Sequence, residues 1–222
     1  MTFDKLTAYT ALVESRKKCH LCQGLQNPHD ANPEYDVDEI GAWSQWQASL
    51  NARILIVGQD WADVNTYLKC QGMEEDDNPT NKNLITLLKS IEVNAKGPES
   101  GEKHDDLFLN NAILCLKEGG MQAKTQTGWY ENCGKCYLKP LVEIIKPKVI
   151  IALGINATNG ILYACGLKQI SGLKQAVENK AGIRINENTL IFPVFHCGSY
   201  GVNINRKLEK QLEDWKKIQK YL

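Results

Sequence analysis

The side chains best suited to chemistry stand at three places far apart in the chain. Gln59-Asp60 follow an apolar run over residues 54–57 that closes on Gly58; Asn110-Asn111 come at the end of a second apolar run; His196 follows a third. A carboxylate, an amide and an imidazole suit recognition of a small heterocycle and stabilisation of a charged transition state. Each also has an ordinary use: Asp60 as a helix cap, Asn111 as a partner for backbone groups, His196 as a satisfied, half-buried ring. Their common position at strand ends sets them apart. Parallel strands point the same way, so their carboxyl ends share one edge, where open α/β sheets seat their ligands. Gly58 lets the backbone approach a ligand closely there.

A second constellation is made of cysteine. The chain has eight cysteines in 222 residues. Residues 1–18 mix charges among the apolar positions and lack the continuous apolar core of a secretory signal, so the chain reads as soluble and cytoplasmic. In a reducing compartment cysteines serve as thiols or as ligands of a metal or cluster. Cys19-x-x-Cys22 and Cys133-x-x-Cys136 each bring two thiolates together, and Cys115 adds a fifth candidate for four ligand positions. Four thiolates suit zinc or a [4Fe–4S] cluster, and spacing does not separate the two. Cys165 lies in an apolar helical pattern and reads as core. A thioredoxin-like use of Cys133-Gly134-Lys135-Cys136 fits loosely, because a long polar loop precedes it. Zinc-deaminase chemistry is excluded: no His-x-Glu occurs, and Asn132 rather than proline precedes Cys133.

Periodicity supplies the elements that must position these groups. Residues 3–18 have helical spacing, with Leu6, Tyr9, Leu12 and Val13 on one side. Residues 24–41 read as loop; Trp43, Trp46 and Leu50 have helix-like spacing and cover a sheet edge. Strands are expected over 53–59, 107–114, 149–153 and 190–195, and polar loops over 71–80 and 118–128. Amphipathic helices carry Leu84, Leu87, Leu88 and Ile91, then Tyr137 to Ile145, then 205–222. Strands alternating with helices imply a three-layer αβα sandwich around a central, mostly parallel, four-stranded sheet. The chain reads as one domain, with the cysteine-bearing segment 1–41 pinned to the core. Lys+Arg and Asp+Glu both number 26, so any nucleic-acid contact must come from a local patch rather than bulk charge. No apolar run reaches the roughly 20 residues of a membrane span, and no membrane partner is expected.

With these residues in order, the chain resembles the uracil-DNA glycosylase superfamily from Cys19 to about Arg206, most of all its iron–sulfur members. Gly58-Gln59-Asp60 resembles the first motif of the prototypical uracil-DNA glycosylases, though Trp61 and Ala62 stand where those have proline and tyrosine. Asn111 before Cys115 resembles the Thr-Asn strand of the iron–sulfur branch. The stretch from Cys136-Tyr137-Leu138 to Lys146-Pro147-Lys148-Val149 and on to Gly154 is similar to that branch in wording and order. His196-Cys197-Gly198-Ser199-Tyr200 resembles a diverged His-Pro-Ser motif. The resemblance implies hydrolysis of the N-glycosidic bond of uracil in single- or double-stranded DNA by a monomer. It implies that Asp60 and His196 act in catalysis, and that Gly58, Gln59, Trp61, Asn111 and Ser199 contact the substrate. It implies a [4Fe–4S] cluster on Cys19, Cys22, Cys115 and Cys136, with Cys133 as the substitute ligand and zinc as the alternative metal. Tyr200 or Val202 would fill the space left by a flipped base, and Arg206, Lys207 and Lys210 would meet the DNA backbone. The alternatives are a non-catalytic binder of damaged nucleic acid and a glycosylase of broader deaminated-base specificity.

Overall fold

The computed structural model describes residues 4–120, 123–179 and 181–222; Phe3 of the expected first helix and Met121-Gln122 of the second polar loop lie outside them. The strands, in chain order, are β1 (Leu25–Gln26), β2 (Ile54–Gly58), β3 (Leu107–Asn111), β4 (Leu116–Lys117), β5 (Val149–Leu153), β6 (Ile183–Arg184) and β7 (Leu190–Val194). The helices are α1 (Lys5–Lys17), α2 (Pro28–Ala31), α3 (Val64–Lys69), α4 (Pro79–Lys89), α5 (Thr127–Cys133), α6 (Lys139–Ile145), α7 (Ile155–Ala164), α8 (Leu173–Glu178) and α9 (Leu208–Lys216).

The sheet runs β3-β2-β5-β7-β6. Its first four strands are mutually parallel, and β6 pairs antiparallel with β7. The sheet therefore has five strands where four were expected: β6 is two residues long, too short for any alternation to register. The central strands are buried throughout, as parallel strands covered on both faces must be. Alternation divides them between two cores. Leu55, Val57, Phe108, Ile150 and Ala152 face α1, α6 and α7, whereas Ile54, Ile56, Leu109, Ile151 and Val194 face Trp43, Trp46, α4 and Trp215 of α9. The chain steps from β2 outward to β3, then returns to the other side of β2 with β5. This reversal is the place where an open α/β sheet leaves a crevice beyond its carboxyl ends.

Several elements differ from the periodicity reading. The buried face of α1 is Tyr9, Val13 and Arg16, while Leu6 is 65 % exposed. Arg16 belongs inside because its guanidinium pairs with Asp36 at 2.8 Å and donates to the Glu39 carbonyl at 2.9 Å. Tyr9 donates to Glu39 at 2.6 Å and meets the Phe108 ring edge-on. These bonds knit residues 4–40 together, and the Tyr9–Phe108 contact fastens them to β3. The strand expected over 107–114 stops at Asn111, and a short ribbon of β1 with β4 follows. Cys165 caps α7 and is half-buried rather than core. A π-helical stretch, Gly134–Leu138, joins α5 to α6.

Candidate active site and cysteine cavity

The carboxyl ends of β2, β3, β5 and β7 enclose a cavity of about 370 Å³, lined by Gly58, Gln59, Asp60, Trp61, Asn111, Leu153 and His196, with Trp43, Glu74, Asn78, Thr80, Asn81 and Lys117. All the expected catalytic and substrate-contact residues except Ser199 thus meet in one cleft of ligand-binding size. Ser199 is exposed, three residues beyond His196.

The role of Gly58 is steric. It lies opposite Asn111 in register, and a Cβ placed on it would come 2.4 Å from Asn111 Oδ1. The bare backbone makes room for the amide, which is 5 % exposed. Asn110 points to the other face and does not line the cleft; neither of its amide atoms is hydrogen-bonded among the described residues.

Asp60 is gripped on both oxygens. Lys117 Nζ lies 3.1 Å from Oδ1, and Gln59 Nε2 donates to Oδ2 at 2.5 Å. Gln59 in turn accepts from Asn156 Nδ2 at 2.5 Å. A chain of amide, amide, carboxylate and ammonium therefore fixes the Asp60 side chain. Lys117 is 3 % exposed, and it reaches the cleft because the β4 ribbon carries it there. No local pattern marks it in the sequence, where it is one lysine at the edge of a polar loop.

His196 lies in the loop after β7, two residues past its end. Its carbonyl sits so close to Gly201 that a Cβ there would fall 1.8 Å from the oxygen, so only glycine permits this turn. The Gly198 N–H donates to His196 Nδ1 at 3.0 Å. The neutral ring consequently carries its proton on Nε2, as a hydrogen-bond donor. The ring reaches solvent, yet protein packs densely around it in the concavity. This desolvation lowers its pKa from the ordinary histidine value, against a smaller upward pull from Asp60. Neutral imidazole is thus favoured near pH 7.

Trp61 rests edge-on against Tyr67, with ring centroids 5.7 Å apart, and its Nε1–H donates to Glu74. Arg206 does not present a free guanidinium for a phosphate: its fork is spent on Asp214 at 2.6 and 2.9 Å, with Phe195 beneath. Lys210 pairs with Glu213.

A second cavity, of about 410 Å³, lies beside the β1–β4 ribbon. Cys19, Cys22, Cys115 and Cys133 line it, with Asn27, Asn132 and Tyr137. Cys136 does not line it, although it remains near enough to Cys22 and Cys133 to disfavour their thiolates. A π turn is wider than an α turn and moves residues three apart further round the axis, which separates Cys136 from Cys133. Burial pushes the Cys115 thiol far up and the Cys133 thiol to about 12, and neighbouring thiolates add to the push on both. Asn27 anchors the first pair by donating to the carbonyls of Arg16 and Cys19, and Asn132 donates to the Cys22 sulfur at 3.4 Å. Among the described residues no three His, Cys, Asp or Glu side chains converge on a point that would hold a single metal ion; the four thiols stand around a space instead.

The family model of the uracil DNA glycosylase superfamily matches residues 46–219. The chain belongs to this superfamily. As a superfamily member it is 27% identical over 120 residues to the type-4 uracil-DNA glycosylase of Sulfurisphaera tokodaii, a match covering 53% of this chain and 52% of that one. The chain thus spans about half the length of this curated relative. The superfamily match includes β2, β3, β5, β7 and every cleft residue except Trp43, and it begins after the Cys19/Cys22 segment. Among the described residues no helix is long and apolar enough to cross a membrane.

Proposed function

We propose that this superfamily member is a DNA glycosylase that releases uracil by hydrolysing the N-glycosidic bond. The observation that carries the reading is the convergence of Asp60, Asn111 and His196, from three strand ends, on one cavity. A base in a duplex is inaccessible inside the stack, so the nucleotide must be turned out into such a cleft. Asn111 offers both a donor and an acceptor to the N3–H and O4 edge of uracil, a pair that cytosine reverses. Cleavage leaves positive charge on the sugar and negative charge on the base. The fixed Asp60 carboxylate faces the first charge and orients water; the Nε2–H of neutral His196 donates to the second. This is electrostatic preorganisation, in which one donor is worth about 10²–10³ in rate. Trp61 provides an aromatic wall, and Ser199 a hydroxyl for a phosphate.

The cysteine cavity fits a [4Fe–4S] cluster held by Cys19, Cys22, Cys115 and Cys133, with Cys136 as the spare thiol. Four thiols around one space match a cluster, whose four irons each take one thiolate, better than a zinc ion, which needs its donors about 2.3 Å from a single centre. When bound, such a cluster supplies cross-linking of the N-terminal segment to β4 and α5, and no redox step is required of it.

The test is release of free uracil from single- and double-stranded oligonucleotides, together with iron and sulfide analysis of anaerobically purified protein. Binding without release of base identifies a non-catalytic binder. A colourless, zinc-loaded protein contradicts the cluster.

A further inference from the structure

The acidic stretch 71–80 lines the cleft with Glu74, Asn78 and Thr80, and Glu74 is its acid there. Glu74 shares the cavity with Asp60, Asn111 and His196. Its carboxylate is fixed from the protein side: Trp61 Nε1–H donates to Oε1, and Asn81 Nδ2 donates to Oε2 at 2.7 Å. Both donors are themselves held. Asn81 is 1 % exposed and also donates to the Glu75 carbonyl at 2.9 Å, and the indole of Trp61 is braced by Tyr67. Each carboxylate oxygen has two acceptor sites, so one donor on each leaves one site on each oxygen. Among the described residues Glu74 forms no ion pair with lysine or arginine. Burial raises its pKa above the usual glutamate value, with the Asn81 and Trp61 bonds acting in the other direction. An acceptor this desolvated gains from a donor supplied by the ligand and loses from a ligand without one.

Resting on the glycosylase reading, we propose that Glu74 is a specificity-determining residue that selects bases carrying a second hydrogen-bond donor. Uracil joined to the sugar through N1 has a single N–H, at N3, and Asn111 takes it; nothing remains for Glu74. Oxidised or deaminated bases with two donors satisfy both residues: 5-hydroxymethyluracil has N3–H and a hydroxyl, and xanthine joined through N9 has N1–H and N3–H. A site built to accept a hydrogen bond discriminates strongly against an analogue that lacks the donor.

The experiment compares oligonucleotides carrying uracil, 5-hydroxymethyluracil or xanthine, with wild type, Glu74→Leu and Glu74→Gln. Base release is measured alongside equilibrium binding of the same sequences made with 2′-fluoro sugars, which resist cleavage. The expected result is a kcat/KM for a two-donor base about tenfold or more above that for uracil. Glu74→Leu shifts that ratio about tenfold or more towards uracil, and Glu74→Gln, with one acceptor oxygen, shifts it part of the way. Wild type that handles uracil as well as both other bases overturns the proposal, as does a ratio indifferent to both variants. If no base is released at all, the glycosylase reading falls. Binding then decides: a Glu74-dependent preference for two-donor bases upholds the role of Glu74, and equal binding overturns it.

Discussion

At the scale of single residues, the cleft is a set of groups whose freedom has been removed. Asp60 has a partner on each oxygen, Asn111 fills the space that Gly58 leaves, and His196 is committed to one tautomer by the Gly198 N–H. Because desolvation lowers the pKa of His196, the sign of its pH dependence is fixed. The folded ring stays neutral below the ordinary value of about 6.5. Activity is therefore expected to be flat through neutrality and to fall only as pH drops through the lowered folded pKa, when protonation of Nδ1 breaks the bond from Gly198. Between the two pKa values the unfolded chain binds more protons than the folded one, so stability rises with pH across that window. His196→Gln should remove this slope in pH-dependent melting and lower kcat about 10²–10³-fold. Lys117 pairs with Asp60 and on the proposed reading acts through it, not on the base. Lys117→Met should lower kcat about 10- to 100-fold by loosening the carboxylate, with little change in KM; a rise in KM alone would show that Lys117 binds substrate instead.

At the scale of elements, what the sequence reveals depends on whether a signal is local. The four long strands and their polar ends are legible because each is a continuous apolar run closed by Gly, Asn or His. The edge strand β6 and the β1–β4 ribbon are two residues each and exist only through pairing, so nothing in their own composition announces them. The same reason hides Lys117, which the ribbon delivers, and Glu74, which looks like any acid in a polar loop until Trp61 and Asn81 claim it. Gly58 is visible in the sequence, but its purpose is not: the close neighbour is the side chain of Asn111, across the sheet in register. On α1, periodicity marks Leu6 as buried and misses Arg16, whose burial depends on Asp36 twenty residues on. That pair is nearly inaccessible, with side chains 1% and 5% exposed. Removing one partner of a buried pair strands the other, at about 3–5 kcal/mol. Asp36→Ala should therefore lower the melting temperature and expose the Cys19–Cys22 segment to limited proteolysis. An unchanged melting curve would contradict this account of how the segment is held.

At the scale of the whole molecule, one sheet edge presents the cleft and the segment that follows it. Tyr200 and Ile204 are 71% and 68% exposed on the helical turns just beyond His196. Exposed apolar side chains beside a base pocket suit a wedge that fills the gap left in a stack, and unstacking costs a few kcal/mol per step. Tyr200→Ala should slow release from duplex DNA about tenfold while leaving single strands nearly unaffected; equal losses on both would place Tyr200 elsewhere in the reaction. With net charge zero and Arg206 and Lys210 engaged within the protein, any affinity for a duplex is expected to rest on this local surface and the exposed Lys207, not on a broad basic field. Each of these roles requires a cleft that cleaves the bond between base and sugar. The most direct measurement is free uracil released from a uracil-containing oligonucleotide, single- or double-stranded, by wild type and by Asp60→Asn at matched folding. Release by wild type, cut about 10²-fold or more in the variant, is the predicted result; no release by wild type, or equal release by both, would contradict it.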